Sequence, residues 1–371
     1  MAQTDQIRSD KATTPSPGAW SPSRFLIGVL SLVVVLIIFF LGFIYLKSSD
    51  QPQVFNAVVA IVWGVGAVAA FFTAANAIVE SFSTRWRNRI QPYVFVGPGI
   101  ALLTWFLVIP AARTFVQSFY GPSTTDFVGL SNYAAVFTDR QMLESFRNNL
   151  MWLILGTALC VILGLLIAVL ADRSRFEKVA KALIFMPMAI SFVGASVIWR
   201  FMYAYAPAEQ PQIGLLNAIA VAFGLSPQSW ITQEPWNNFF LIVVLVWMQT
   251  GFSMVLFSAA LKGVPSDLLE AARVDGATEV QTFFSIIIPY IQGTIITVTT
   301  TVAIFTLKIF DVVFVMTGGQ FGTEVVSTKF FREFFQNRNF GYGAAIAIVL
   351  FVCVTPVMIY NLRQLRHTEG F

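Results

Sequence analysis

Apolar and polar positions along this chain alternate in long blocks, not along single helix faces. Apolar runs recur at roughly 25–46, 55–79, 93–112, 150–171, 182–204, 239–261, 285–307 and 343–362. About 20 apolar residues at 1.5 Å each cross a hydrocarbon core. The pattern therefore predicts an all-α polytopic membrane protein with about eight transmembrane helices. The run 285–307 is the weakest, because threonines from Thr294 to Thr306 interrupt it. Hydroxyls inside a span face a neighbouring helix or a wet cavity. Residues 1–23 are polar and rich in Ser, Thr and Pro, which predicts a disordered tail. The run from Phe25 to Leu46 is longer than the apolar stretch of a signal peptide and lacks a small-residue cleavage site after it. It reads as an uncleaved span.

Composition agrees with the pattern. The chain of 371 residues is 57% hydrophobic and 11% charged, with 37 Phe and a mean hydropathy of +0.73. Soluble domains carry about a quarter charged residues. The net charge of +4 is small and scattered, which excludes a nucleic-acid footprint. Cys160 and Cys353 both lie inside apolar runs and read as packing residues, not as a disulfide or metal pair. With His367 the only histidine, no histidine-rich metal site or proton relay is available.

The basic residues orient the spans. With the N-terminus inside, the cytoplasmic segments hold Arg8, Lys11, Arg24, Arg85, Arg87, Arg89, Arg173, Arg175, Lys178, Lys181, Lys262, Arg273, Arg363 and Arg366, fourteen of the 23 Lys and Arg. Both termini are then cytoplasmic. The outer segments are 47–54, 113–149, 205–238 and 308–342. The second and third are too long for tight turns and too short for independent domains, and are expected to be ordered lids or a receiving surface for a soluble partner.

One polar island stands out between two spans, from Pro265 to Pro289. Pro265 suits a helix start, and Asp267 and Glu270 suit the first turns, where negative charge complements the helix dipole. Leu268, Leu269, Ala271 and Ala272 favour helix. Asp275-Gly276 ends it, since glycine accepts the left-handed conformation of a helix stop. A second helix can begin near Thr278 and carry Phe283, Phe284 and Ile287 toward Pro289. Two short helices should meet at a glycine corner, the first offering Leu268, Leu269 and Ala272 to a groove. Periodicity alone favours an interfacial helix that only links two spans. Such helices are favoured by basic residues at an anionic leaflet, whereas this loop is acidic on balance, which points to docking.

The series Glu270-Ala271-Ala272, Asp275-Gly276-Ala277, then Phe284, Ile286, Ile288 and Pro289 resembles the EAA loop of permease subunits from binding-protein-dependent ABC importers. Val264 to Leu268, Phe310-Asp311, Thr317-Gly318-Gly319, Phe340 to Gly343, Gly129 to Tyr133 and Asn148-Asn149 resemble the carbohydrate-importing branch. The likeness covers about residues 93–365. The two preceding spans resemble the larger permease of the maltose system, whose large outer insert has no room in 113–149. The implied division is a cytoplasmic tail 1–23, two additional N-terminal helices in 24–90, a permease core 91–365 with coupling loop 263–290, and a tail 366–371. The resemblance implies that Glu270, Ala271, Ala272, Asp275, Gly276, Ala277 and Pro289 couple to a cytoplasmic ATPase. It also implies a second homologous permease, two ATPase subunits and an extracytoplasmic sugar-binding protein as partners, besides membrane lipid.

The chain holds no G-x-x-x-x-G-K-[ST], G-x-S-x-G or H-E-x-x-H pattern. It is therefore expected to be a transport subunit with no cofactor of its own, ATP and Mg being used by the partner. Thr317 to Gly322 reads as a flexible glycine turn. Polar groups in or near spans are candidates for the substrate path: Gln249, Thr306, Lys308 and Asp311, with Phe305, Phe310, Trp247 and Phe252 as flanking rings. Lys308 and Asp311, three apart, should share a helix face and neutralise each other. The stretch Phe331 through Tyr360 resembles permeases for α-glucosides and related oligosaccharides, and the resemblance implies an oligosaccharide of the α-glucoside or maltose type as cargo. Glycerol-phosphate or another sugar derivative is the alternative, and an ATP-independent secondary transporter is the rival class. No Asp or Glu lies deep within an expected span, as ion coupling in such a transporter would need.

Overall fold

The computed structural model describes residues 20–368, and the structural statements below concern those residues. Among them six helices are long and apolar enough to cross a membrane. Counting each of two further bent helix pairs as one span gives the expected eight. The only β pairing is an isolated antiparallel bridge between Tyr120 and Phe127. Most of the tail expected at 1–23, and residues 369–371 of the tail expected at 366–371, lie outside the described residues.

The contacts divide the chain into two compact units at Ala111 and Ala112. The first unit holds α1 (Pro22–Ser48), α2 (Gln53–Glu80) and most of α3 (Thr84–Gln117). α1 and α2 form a hairpin whose turn is tied by the Ser49 hydroxyl on Asn56 Oδ1 at 2.9 Å. Phe39 packs edge-on against Trp63 at 5.0 Å. Leu26, Ile27, Phe40 and Val65 point outward and are well exposed. Such a surface needs lipid or another apolar partner to cover it.

The second unit continues with α4 (Ser131–Thr138), α5 (Arg140–Asp172), the bent pair α6 (Glu177–Ala189) and α7 (Phe192–Met202), and α8 (Leu215–Ala222). It then runs through α9 (Asn237–Lys262), α10 (Ser266–Val274), the bent pair α11 (Glu279–Tyr290) and α12 (Gln292–Leu307), α13 (Asp311–Met316), α14 (Val326–Phe331) and α15 (Phe340–Thr368). α9 is the central helix: 61% of its most apolar stretch is buried, against 28% in α5. Its Leu241, Ile242, Leu245, Met254 and Phe257 form the core with Trp152 and Cys160 of α5 and Val298 and Val302 of α12. α5 and α9 approach closely where Gly164 meets Ser253; a Cβ on Gly164 would lie 2.4 Å from the Ser253 Cβ. Small residues at such a crossing let backbones touch, which drives association in lipid, where the hydrophobic effect between helices is absent.

Both bends have a covalent cause. Within the span expected at 182–204, Pro187 tightens the last turn of α6. Ser191 then caps α7, its hydroxyl accepting from the Gly194 N–H at 3.0 Å, and the axes turn by 102°. In the span expected at 285–307, Pro289 brings no N–H to the helix ladder. The preceding turn, Phe283–Ile287, opens to the wider π form, and α11 meets α12 at 69°.

Two of the segments expected outside are ordered. Residues 113–149 fold as the end of α3, the Tyr120–Phe127 bridge, α4 and the polar start of α5. Asn132 Nδ2 closes this arch on the carbonyls of Ser118 and Tyr120, at 2.9 and 2.7 Å. In 205–238, Asn217 ties α8 to the returning chain through Ala204 and Gln228, each at 2.9 Å.

Candidate functional site: a polar loop between two spans

The polar island folds as expected, into two helices at a corner. α10 stops in a Schellman motif: the Ala277 N–H donates to the Ala272 carbonyl at 3.0 Å, and the Gly276 N–H to Arg273 at 3.1 Å. That geometry puts Gly276 at φ +79°, where a side chain is strained. α11 starts in a capping box. Thr278 Oγ1 accepts from the Gln281 N–H at 3.3 Å, and Gln281 Oε1 accepts from the Thr278 N–H at 2.8 Å. The loop closes at its base, where the Tyr290 hydroxyl donates to the Gly263 carbonyl at 3.2 Å.

Charges fasten this corner from two sides. Glu279, the first residue of α11, lies 3.4 Å from Arg273 on α10 and 3.6 Å from Arg173 just past α5. Beside it a denser cluster joins α5, α6 and α9. Lys181 contacts Asp172, Glu177 and Ser258, Lys262 contacts Glu177, and the Ser258 hydroxyl donates to Asp172 at 2.8 Å. Lys262 is four residues short of α10, so the loop springs from a fixed base.

The sequence-derived coupling residues divide into two groups. Glu270, Ala271, Asp275 and Pro289 are exposed, and Glu270 has no hydrogen bond or ion pair among the described residues. Ala272 was expected on the offered face with Leu268 and Leu269. It is instead buried, 5% exposed, because its side of α10 turns back onto the protein. Leu268, Val274 and Val280 supply the exposed apolar surface, and Val274 is 87% exposed.

The four substrate-path candidates do not converge as one polar cluster. Gln249 is buried in the middle of α9, and its amide oxygen has no hydrogen-bond partner among the described residues. Thr306 is buried, and its hydroxyl donates to the Val302 carbonyl of its own helix at 2.8 Å. The expected Lys308–Asp311 pairing is overturned: α12 ends at Leu307 and α13 starts at Asp311, so the two share no helix face. No ion pair joins them, and Lys308 instead lies 5.7 Å from the centre of the Phe305 ring.

Sequence reasoning missed a second polar centre, on the opposite side of the bundle from the loop. The glycine segment Thr317 to Gly322, expected to be flexible, is pinned at several points. Asn148 Nδ2 donates to the carbonyls of Gly322 and Glu324, both at 2.8 Å, Asn237 donates to Phe321, and Arg332 Nη2 donates to Gly318 at 3.0 Å. Asn149 Oδ1 accepts from the Val326 N–H at 2.8 Å. Below lies Lys329, 4% exposed at its side chain, 3.0 Å from Glu333, 3.4 Å from Asp139 and 2.7 Å from Gln141 Oε1. Arg332 pairs with Glu324 at 3.0 Å. Burial pushes the Glu324 carboxyl above its ordinary range, against the pull of Arg332 and Lys329. The signal lay in Asn148-Asn149 and Asn237-Asn238, two pairs of amides at span ends.

Comparison with known proteins fits this geometry. Residues 160–367 match the family described as binding-protein-dependent transport system inner membrane component. An osmoprotective compounds uptake permease of Synechocystis sp., GgtC, is 51% identical over 276 residues, 74% of this chain and 99% of its own length. An α-glucoside transport system permease of Rhizobium meliloti, AglF, is 45% identical over 334 residues, 86% of this chain and 99% of its own. Among solved structures, a chain of a bacterial ABC transporter that imports the acidic polysaccharide alginate superposes with a TM-score of 0.66 at 21% identity, covering 77% of this chain and all of that one. A second structure of an alginate transporter, in complex with an alginate-pentasaccharide-bound periplasmic protein, matches with a TM-score of 0.63. The chain belongs to the binding-protein-dependent transport system inner membrane component family.

Proposed function

We propose that this chain is the permease subunit of an ATP-driven importer that carries an oligosaccharide of the α-glucoside or maltose type across the inner membrane. The observation that carries the reading is the 45% identity to an α-glucoside permease over 86% of the chain. The permease core spans 91–365, with both termini and the loop 263–290 on the cytoplasmic side, where the basic segments lie. Exposed Glu270, with no partner of its own, and the fixed glycine corner behind it support docking of the loop into a cytoplasmic ATPase. That partner uses ATP and Mg. Rigid helices then transmit its closure to the spans. A second permease completes the pore, and an extracytoplasmic protein delivers the sugar, as the periplasmic protein in the alginate complex suggests. Gln249, with its unpaired amide oxygen in the core of the span, is the best-placed of the four path candidates to meet a sugar hydroxyl once the bundle opens. An osmoprotective solute is the second cargo to test, because the cyanobacterial relative is named for such compounds.

Reconstitution tests both levels. Vesicles holding this chain, its partner permease and the ATPase should accumulate labelled maltose or trehalose only with ATP and the binding protein. Uptake without the ATPase overturns the reading. Removing Glu270–Gly276 should abolish co-purification of the ATPase while the spans still insert; retained ATPase overturns the docking role.

A further inference from the structure

A groove of about 520 Å³ runs between α5 and α11, next to the coupling loop. Ile162, Leu166 and Val169 line it from α5, and Phe283, Phe284 and Ile288 from the other wall. The α5 residues recur at helical spacing, so they form one stripe. From Ile162 to Arg173 it extends about 16 Å at 1.5 Å per residue. The walls are apolar and the mouth is charged, with Arg173 beside Glu279. Just beyond, Arg175 and Lys178 have no ion-pair partner among the described residues, because the acidic neighbours Asp172 and Glu177 are taken by Lys181 and Lys262. Phe176 and Val179, 73% and 58% exposed, lie among these cations. Cations interleaved with exposed apolar side chains at a span end suit the headgroup level of a bilayer.

We propose that this groove seats one acyl chain of an anionic phospholipid, with the lipid phosphate on Arg173. An apolar slot about as long as an acyl chain, opening on an excess of positive charge, selects lipid by both of its ends. The phosphate competes with Glu279 for Arg173. Bound lipid therefore displaces the exposed Glu279 carboxylate from Arg173, while the backbone hydrogen bonds of the corner stay in place. The proposal rests on the reading above only in placing this end of the bundle in the inner leaflet.

The test uses the assembled transporter in vesicles with photoreactive phosphatidylglycerol or photoreactive phosphatidylcholine, each carrying the reactive group on an acyl chain. Labelled peptides are mapped by mass spectrometry. Phosphatidylglycerol should label the 162–169 and 280–288 peptides in preference to phosphatidylcholine. Arg173→Gln should reduce that labelling about fivefold, the equivalent of about 1 kcal/mol for one basic side chain at a membrane surface. Arg173→Lys should retain it. Glu279→Gln should raise it by up to about fivefold, the upper value of an exposed ion pair. Equal labelling by both lipids, or labelling indifferent to Arg173→Gln, overturns the proposal. So does a groove that no lipid labels but a bifunctional reagent links to another subunit. Labelling needs no transport, so failure of the sugar reading leaves this result standing, and protease access to loop 263–290 in sealed vesicles tests the sidedness separately.

Discussion

The loop proposed to couple, 263–290, and the segment around Lys329 are built from similar residues and hold them in opposite ways. In the segment around Lys329 the charges are inside. Lys329 is almost wholly enclosed and meets Asp139, Glu333 and Gln141, while asparagine amides hold the glycine segment by its carbonyls. In the coupling loop the charges are outside. Arg273, Glu279 and Arg173 are 62–71% exposed, Glu270 has no partner, and Val274 and Val280 face outward. Buried polar groups must be satisfied within the chain, because each unpaired one costs its full desolvation. Exposed ones can wait for a partner. The difference marks one region as finished by its own chain and the other as left open on its surface, as the proposed docking requires.

The comparison breaks most visibly if Lys329 is removed. Lys329→Met leaves Glu333 without its cation in a largely desolvated place and removes the partner of the partly exposed Asp139, at a cost of about 3 kcal/mol. Thermal unfolding in detergent should show a large loss, with the 317–333 segment becoming open to proteolysis. Glu270→Gln should leave the same unfolding curve within about 0.5 kcal/mol, as exposed substitutions do, while weakening association with the ATPase. Equal stability losses in the two variants would erase the distinction drawn between the regions.

A smaller effect sharpens the view of the corner. Gly276→Val forces a branched side chain into the left-handed region, at about 1–2 kcal/mol. Space is not the obstacle, since apart from its own chain neighbours nothing lies within 4 Å of where the Cβ would be. The damage should therefore stay local. Hydrogen exchange over 266–282 should quicken and ATPase binding weaken, while exchange in α5 and α9 remains unchanged.

The sequence made the spans legible because apolar block length is read directly against bilayer thickness. It also made the corner of loop 263–290 legible, because Asp275-Gly276 and Thr278 act on backbone within a few residues of themselves; the Gln281 half of the capping box came only with the structure. The bends were hidden: an apolar run looks the same straight or turned by 102°, and Pro187 and Pro289 mark where a helix weakens without giving the direction. Ala272 was misplaced because periodicity gives the stripe of a helix but not which side turns inward. The Lys329 centre was out of reach for another reason. Asp139 and Lys329 are 190 residues apart in sequence and only 3.4 Å apart in space. The Lys308–Asp311 expectation failed because it assumed a continuous helix where the chain breaks at Ile309-Phe310.

The smallest expected effect concerns what the exposed charges of the coupling loop contribute. Arg273 and Glu279 are 3.4 Å apart but open to water, where such a pair contributes about 0–1 kcal/mol. The corner they span is already fixed by the two Schellman hydrogen bonds and the capping box, neither of which needs an ion pair. Arg273→Gln should therefore cost less than Gly276→Val at low salt. It should cost almost nothing at high salt, since the screening length shrinks from about 10 Å at 0.1 M to about 3 Å at 1 M. The Lys329 cluster, shut away from counter-ions, should lose the same stability on mutation at either salt concentration. A salt-independent loss for Arg273→Gln larger than that for Gly276→Val would mean that the corner is held by charge, and the backbone account of the coupling loop would have to be abandoned.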